Sequence, residues 1–357
     1  MLPSLFDARG SLGKEREGHG ASLESRRTRT AVRRCGWPES RELGLADLEI
    51  QHQMADEPPP RPAGGPSAPG RSARSGSPNA LERDGQESAG HSPRKTKPKA
   101  DVVGSWDWCE TTNGRLRVKD KARLLASAAA TTSALAPSLL RSRLFGWHRP
   151  SRPLAVKTLH VPATPAAARA KARCAELSPQ FMVVHCERTY WFSRMLGVRW
   201  GLAFDDEVLY VSAMLHDAAL MDGFKGRLPE DHCFTIPTAR DARELVHQVG
   251  GWSDERTLKV MEAITYNPNP YVHAKDGVEA HLLNAGVLIE VTGMRLWEMH
   301  PDDVRDLLDM APRKGFKRGV LEIFDKEAHA HPGCRFALAG RWMFFRQLVR
   351  WAPFKEQ

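Results

Sequence analysis

Apolar positions along the later part of the chain recur at helical spacing, and sustained alternation of apolar and polar residues is found nowhere. The run 181–195 is apolar on a broad face; Ser178-Pro179 reads as its N-cap and first helical residue, and Gly197 as its stop. The next predicted helix opens on Asp205, Asp206 and Glu207, which suit the positive end of a helix dipole, and closes at Asp222-Gly223. Further helices are predicted over 239–249, stopped by Gly250-Gly251, over 254–266, capped by Ser253, and over 277–291, with Asn267-Pro-Asn-Pro270 separating the last two. Another starts at Pro301, and two aromatic helices follow over 317–329 and 336–351. Ahead of these lie an Ala/Leu-rich stretch over 116–140, read as one or two helices broken at Pro137, a connection marked by Pro150, Pro153, Pro162 and Pro165, and an Ala/Arg helix over 166–176. The body reads as all-α.

The front of the chain is different. Residues 1–100 run through Arg-, Ser- and Pro/Gly-rich patches such as Pro58-Pro-Pro-Arg-Pro-Ala-Gly-Gly-Pro66, with almost no periodic apolar pattern, and are expected to form a disordered tail. Its start lacks the apolar region of a signal peptide and its acidic residues do not suit a transit peptide, so no targeting role is assigned, and Met54 reads as the true start. The organisation expected is therefore a tail over 1–100, a helical extension over 101–165 that packs on the body, and an all-α domain over 166–357. The stretch 124–140 is apolar, but it is short, carries several hydroxyls and a proline, and is flanked by Arg on both sides. It predicts a peripheral helix rather than a membrane span.

Composition changes this picture little. With 357 residues, 41% of the chain hydrophobic, the body can bury a real core. The formal net charge of +9 permits weak attraction to polyanions, but there is no zinc-finger spacing, RNP-type motif or basic stripe interleaved with aromatics, so no specific nucleic-acid partner is expected. The six cysteines are scattered without CxxC spacing, which fits a reducing, cytoplasmic location.

The chemistry centres on Val208-Leu-Tyr-Val-Ser-Ala-Met-Leu-His216-Asp217, a His-Asp pair inside an apolar run. Burying a carboxylate costs several kcal/mol unless it is paired, hydrogen-bonded or metal-bound, so Asp217 beside His216 suggests a cation; the alternative is a hydrogen-bonded core pair. The preceding helix carries His185. Further on, Glu290 stands in the apolar run Leu282-Leu-Asn-Ala-Gly-Val-Leu-Ile-Glu290, with Asn284 as a weaker donor on the same helix.

This order resembles the HD-domain superfamily of metal-dependent phosphohydrolases, whose pattern is His, His-Asp and a distal Asp on an all-α bundle, and within it the cyanamide hydratase-like branch. His185-Cys-Glu-Arg-Thr-Tyr-Trp is similar to the first-His motif, the run from Asp205 to Asp217 to the His-Asp motif, Gly223-Phe-Lys-Gly-Arg227 to the loop after it, and 286–293 to the helix bearing the last ligand. The resemblance extends over roughly 106–351 and leaves the tail unexplained. It implies one divalent metal held by His185, His216, Asp217 and Glu290, a set suited to zinc or iron(II), with Asp217 also orienting the attacking water. It implies a small-molecule substrate: a nitrile or similar bond for a hydratase, or alternatively a nucleotide or other phosphate ester, for which Lys225 and Arg227 would hold the anionic group. Glu290 stands where the family has Asp, and Asn267 stands where relatives tend to place a His-Thr pair, leaving it as a candidate substrate-binding residue. These departures carry a third reading, a catalytically lapsed HD fold that binds without turnover. His232 reads as a loop residue, and His273, His281, His300, His329 and His331 as surface or packing residues.

Overall fold

Side-chain caps and glycine crossings position the helices that matter here. The computed structural model describes residues 99–356, which belong to one compact unit; the expectations about a disordered tail and a start at Met54 fall outside them. The helices are α1 (Trp106–Thr112), α2 (Val118–Phe145), α3 (Pro165–Leu177), α4 (Gln180–Arg199), α5 (Asp206–Leu215), α6 (Thr235–Val249), α7 (Asp254–Tyr266), α8 (Val278–Thr292), α9 (Pro301–Met310), α10 (Phe316–Ala330), α11 (Arg335–Trp342) and α12 (Phe345–Trp351), and the described residues contain no strand. The all-α class is therefore as the pattern predicts. Helices α4, α5, α7 and α8 pack on one another as the centre, α3 and α6 cover one side, α10 lies against α4 and α12 against α8, and α11 packs on α10 and α12.

Local chemistry explains most boundaries. Thr164 caps α3 by accepting from the Ala167 N–H, with Pro165 at the first helical position; Asp205 accepts from Val208 N–H at the start of α5, and Ser253 from Arg256 N–H at the start of α7. Pro179 is the cap of α4 rather than its first helical residue. Gly197, expected to stop α4, lies inside it, where a Cβ would run into the Phe204 ring, so it serves close packing and the helix continues to Arg199. Pro137 does not break α2, which runs unbroken for 28 residues with only Asp120 and Leu124 buried. The single helix expected over 336–351 is two, because Phe344 adopts the left-handed conformation (φ 54°) between α11 and α12. No helix among the described residues is long and apolar enough to cross a membrane.

The crossing of α4 and α8 brings the candidate site together. A Cβ on Gly286 would meet the Ser193 side chain and lie 2.8 Å from the Ser193 amide nitrogen and 2.9 Å from the Thr189 carbonyl oxygen. Only a glycine lets the two backbones approach this closely, and the approach carries Glu290, one turn further along α8, onto the α4 face that bears His185. In an open helix Gly→Ala stabilises by about 1 kcal/mol. Here Gly286→Ala must push against backbone, so it is expected to destabilise by about 1–3 kcal/mol in thermal or urea unfolding; a rise in stability would contradict this account of the crossing.

Candidate metal centre

Helix α5 ends one residue before the His-Asp pair instead of running on to Asp222-Gly223. His216 is its C-cap, and Asp217 (φ −111°, ψ 9°) turns the chain into a single 3-10 turn over Ala218–Leu220. The turn directs both side chains toward the middle of α4, where His185 lies almost fully buried. His185 Nε2 is 3.3 Å from His216 Nε2 and 3.4 Å from Asp217 Oδ2, and His216 Nε2 is 3.2 Å from the same carboxylate oxygen. The three atoms face a common point, and this buried group can hold a metal ion.

The outer nitrogens of both rings are already engaged. His216 Nδ1 lies 2.8 Å from the Ala213 carbonyl oxygen, and His185 Nδ1 lies 2.7 Å from Glu290 Oε2. A carbonyl and a carboxylate only accept, so each Nδ1 carries a proton and donates it, which leaves each Nε2 lone pair directed at the other ring and at Asp217. Three acceptors in van der Waals contact inside a protein repel one another unless a cation sits among them. The donor set, two imidazoles and a carboxylate with the imidazoles held from behind, is the one borderline divalent metals take. Without a metal a proton can serve. Burial alone would push the His185 pKa down, but the Glu290 and Asp217 carboxylates on either side outweigh it and raise it from 6.5 to about 9. Asp217 moves the other way: burial disfavours its charge, yet His216 and His185 hold it well below the usual carboxylate range.

Glu290 is not brought into the three-atom cluster. It lies behind His185, fully buried, with Oε2 on the histidine and Oε1 on two guanidinium groups: Arg188 Nε at 2.8 Å and Nη2 at 2.7 Å, and Arg313 Nη1 at 2.5 Å. Burial would raise its pKa, but Arg313, His185 and Arg188 together keep it ionised far below the ordinary range. Arg188 also donates to the carbonyls of Ala311 and Pro312, and Arg313 to the Glu290 carbonyl, which ties the loop before α10 to this carboxylate. The Phe316 ring stacks on His185 at 4.9 Å, with Arg188 and Arg313 over its faces at 5.2 and 4.5 Å. Arg188 and Arg313 were missed in the sequence. The available signal was Arg188 three residues after His185, and so on the same face of an apolar helix.

The cluster opens on a cavity of about 150 Å³ walled by Leu220, Val287, Ile323, Phe336 and Leu348 among others, with Asn267 and Asn284 on its rim. Asn284 lines the cavity, and its Nδ2 donates to the carbonyls of Asn267 and Asn269 and holds the 267–270 turn. Asn267 is buried against the cavity, and its Oδ1 has no hydrogen-bond partner among the described residues. Lys225 and Arg227 are not brought to the cavity: Lys225 is exposed, and Arg227 forms a two-pronged ion pair with Glu327 at 2.9 Å. His232 lies outside the cavity wall, His281 is a packing residue bonded to the Val272 carbonyl, and His300 caps α9.

In the metal-free protein the proton on His185 stabilises the fold, and the sign follows from its raised pKa. The stabilisation is fully present below about 6.5, and is lost as pH rises through about 9. The wild type should therefore lose stability relative to His185→Asn, by on the order of 3 kcal/mol, between those limits. Urea unfolding with chelator present at several pH values reads this, and a pH-independent difference would contradict it. No protein-family profile matches the chain, and no curated protein matches it either, so the centre stands on its own geometry.

Proposed function

We propose that the chain is a metal-dependent enzyme of the HD type that adds water to a bond in a small, uncharged molecule, with His185, His216 and Asp217 holding one zinc or iron(II) ion. The observation that supports this most is that His185 Nε2, His216 Nε2 and Asp217 Oδ2 lie 3.2–3.4 Å from one another while both Nδ1 atoms are engaged elsewhere, which leaves room among the three only for a proton or a metal ion. When bound there, the ion supplies Lewis acidity, lowering the pKa of water and polarising the bond under attack. The chain's own residues do the rest. Glu290, fixed by Arg188 and Arg313, holds the His185 ring and its tautomer, in the way a carboxylate behind a ligating histidine tunes such sites. Asp217 offers its carboxylate at the cavity floor to accept a hydrogen bond from the attacking water and orient it. The Asn267 amide, with its unpartnered oxygen, is placed to hydrogen-bond the substrate.

The character of the cavity wall favours one of the two substrate classes that the family resemblance leaves open. Among the described residues its lining holds no Lys or Arg, and its one formal charge apart from the histidines is the anionic Asp217. A phosphate ester would bring two negative charges into that setting with no protein cation to meet them, whereas a neutral nitrile or amide-like group with an apolar body fits it. The five described cysteines, all buried and unpaired, suit the reducing cytoplasm.

The test is turnover by metal-loaded full-length protein of two substrate panels, one of cyanamide and neutral nitriles of increasing apolar size, the other of nucleotides and other phosphate monoesters. Hydration of the neutral panel, abolished by Asp217→Asn and with KM raised several-fold by Asn267→Ala, is expected. Phosphate release with no hydration would overturn the neutral-substrate reading, and metal-loaded protein inert toward both panels would favour binding without turnover.

A further inference from the structure

The helices that wall the cavity carry an unusual outer face. Thr131 and Thr132 of α2 and Met343, Phe345 and Leu348 at α11 and α12 line the cavity on the inside. On the outside, the same two segments expose Leu140 (59%), Leu144 (65%), Phe145 (79%), Trp342 (62%), Phe344 (70%) and Trp351 (69%). These include every strongly exposed Phe or Trp among the described residues. The segments meet: Arg143 near the end of α2 donates to the Trp351 carbonyl at the end of α12, at 3.1 Å. Trp342 ends α11, Phe344 is the left-handed residue that caps α12, and Trp351 ends that seven-residue helix.

Cations outnumber anions along these segments, although Arg346 of α12 is paired with Asp325 of α10 at 2.7 Å. No Asp or Glu occurs between Asp120 and Glu176, or between Glu327 and Glu356, while the two stretches hold Arg141, Arg143, Arg149, Arg341, Arg350 and Lys355 near the aromatics. Arg141 and Arg149 stack on Trp147, and none of these six is ion-paired among the described residues. Large aromatics projecting between unpaired cations suit the interface of an anionic bilayer, where rings sit at headgroup depth and Lys and Arg meet lipid phosphates and carboxylates. A second copy of the chain fits poorly, because a two-fold contact would set this basic face against itself.

We infer that the face formed by the end of α2 and by α11 and α12 docks peripherally on an anionic lipid bilayer, bringing the apolar cavity behind it to the membrane surface. The inference does not depend on the metal or on the reaction proposed above.

The test is co-sedimentation of the full-length protein with vesicles of phosphatidylcholine alone and of phosphatidylcholine with about 30% phosphatidylserine. Two double variants are compared, Phe344→Ser/Trp351→Ser and Arg143→Gln/Arg350→Gln, each altering exposed side chains and leaving the basic tail of residues 1–98 unchanged. Binding to the anionic vesicles alone, weakened about tenfold or more by each variant with an unchanged thermal melt, is expected. Three results would overturn the inference: no binding by the wild type, binding undiminished in both variants, which would assign it to the tail, or wild-type self-association lost in Phe344→Ser/Trp351→Ser without lipid binding, which would assign the face to a second copy.

Discussion

Three acceptor atoms of His185, His216 and Asp217 converge in a buried space, and their mutual repulsion is the constraint on which the rest of the centre depends. The fold maintains it because each acceptor is held from outside. Helix α5 stops at Leu215 and hands His216 Nδ1 to its own Ala213 carbonyl, while His185 is pinned by Glu290, itself neutralised by two buried arginines. A carboxylate and two guanidinium groups in a dry interior would be costly in isolation, and here each charge is met by another with good geometry. The arrangement spends stability on holding these side chains in fixed orientations.

The backbone supports this through one close crossing. Gly286 lets α8 press on α4, and Glu290 reaches His185 only because of that approach. The same crossing leaves the cavity between these helices and the covering segments α2 and α10 to α12, so one set of packing contacts fixes both the ligand geometry and the space next to it. That space is mostly apolar, and among the described residues no Lys or Arg lines it, so its walls bound what it can hold.

Much of this was legible in the sequence. The helical period, the capping residues Asp205 and Ser253 and the lack of alternation specify the all-α class, and an Asp beside a His in an apolar run marks the place where burial needs a cation. What could not be read is distance. Periodicity puts Glu290 on an inward face but does not say whether it stands beside the other three groups or behind one of them, and an arginine within a helix, such as Arg188, ordinarily reads as a solvated residue. Lys225 and Arg227 follow the His-Asp motif closely in sequence, yet the 3-10 turn after Asp217 carries their loop away, and Glu327, a hundred residues on, claims Arg227. Pro137 and Gly197 mislead for a related reason: an exposed helix and a tight crossing each tolerate a residue that propensity alone counts as a break.

The most direct measurement is the metal content of full-length protein purified without chelator, by elemental analysis, with Asp217→Ala and Asn267→Ala alongside. If the three acceptors exist to hold a divalent ion, wild type and Asn267→Ala carry about one equivalent of zinc or iron and Asp217→Ala carries none. A folded wild type with no metal and none taken up on addition, or an Asp217→Ala protein that retains its full equivalent, would contradict the account.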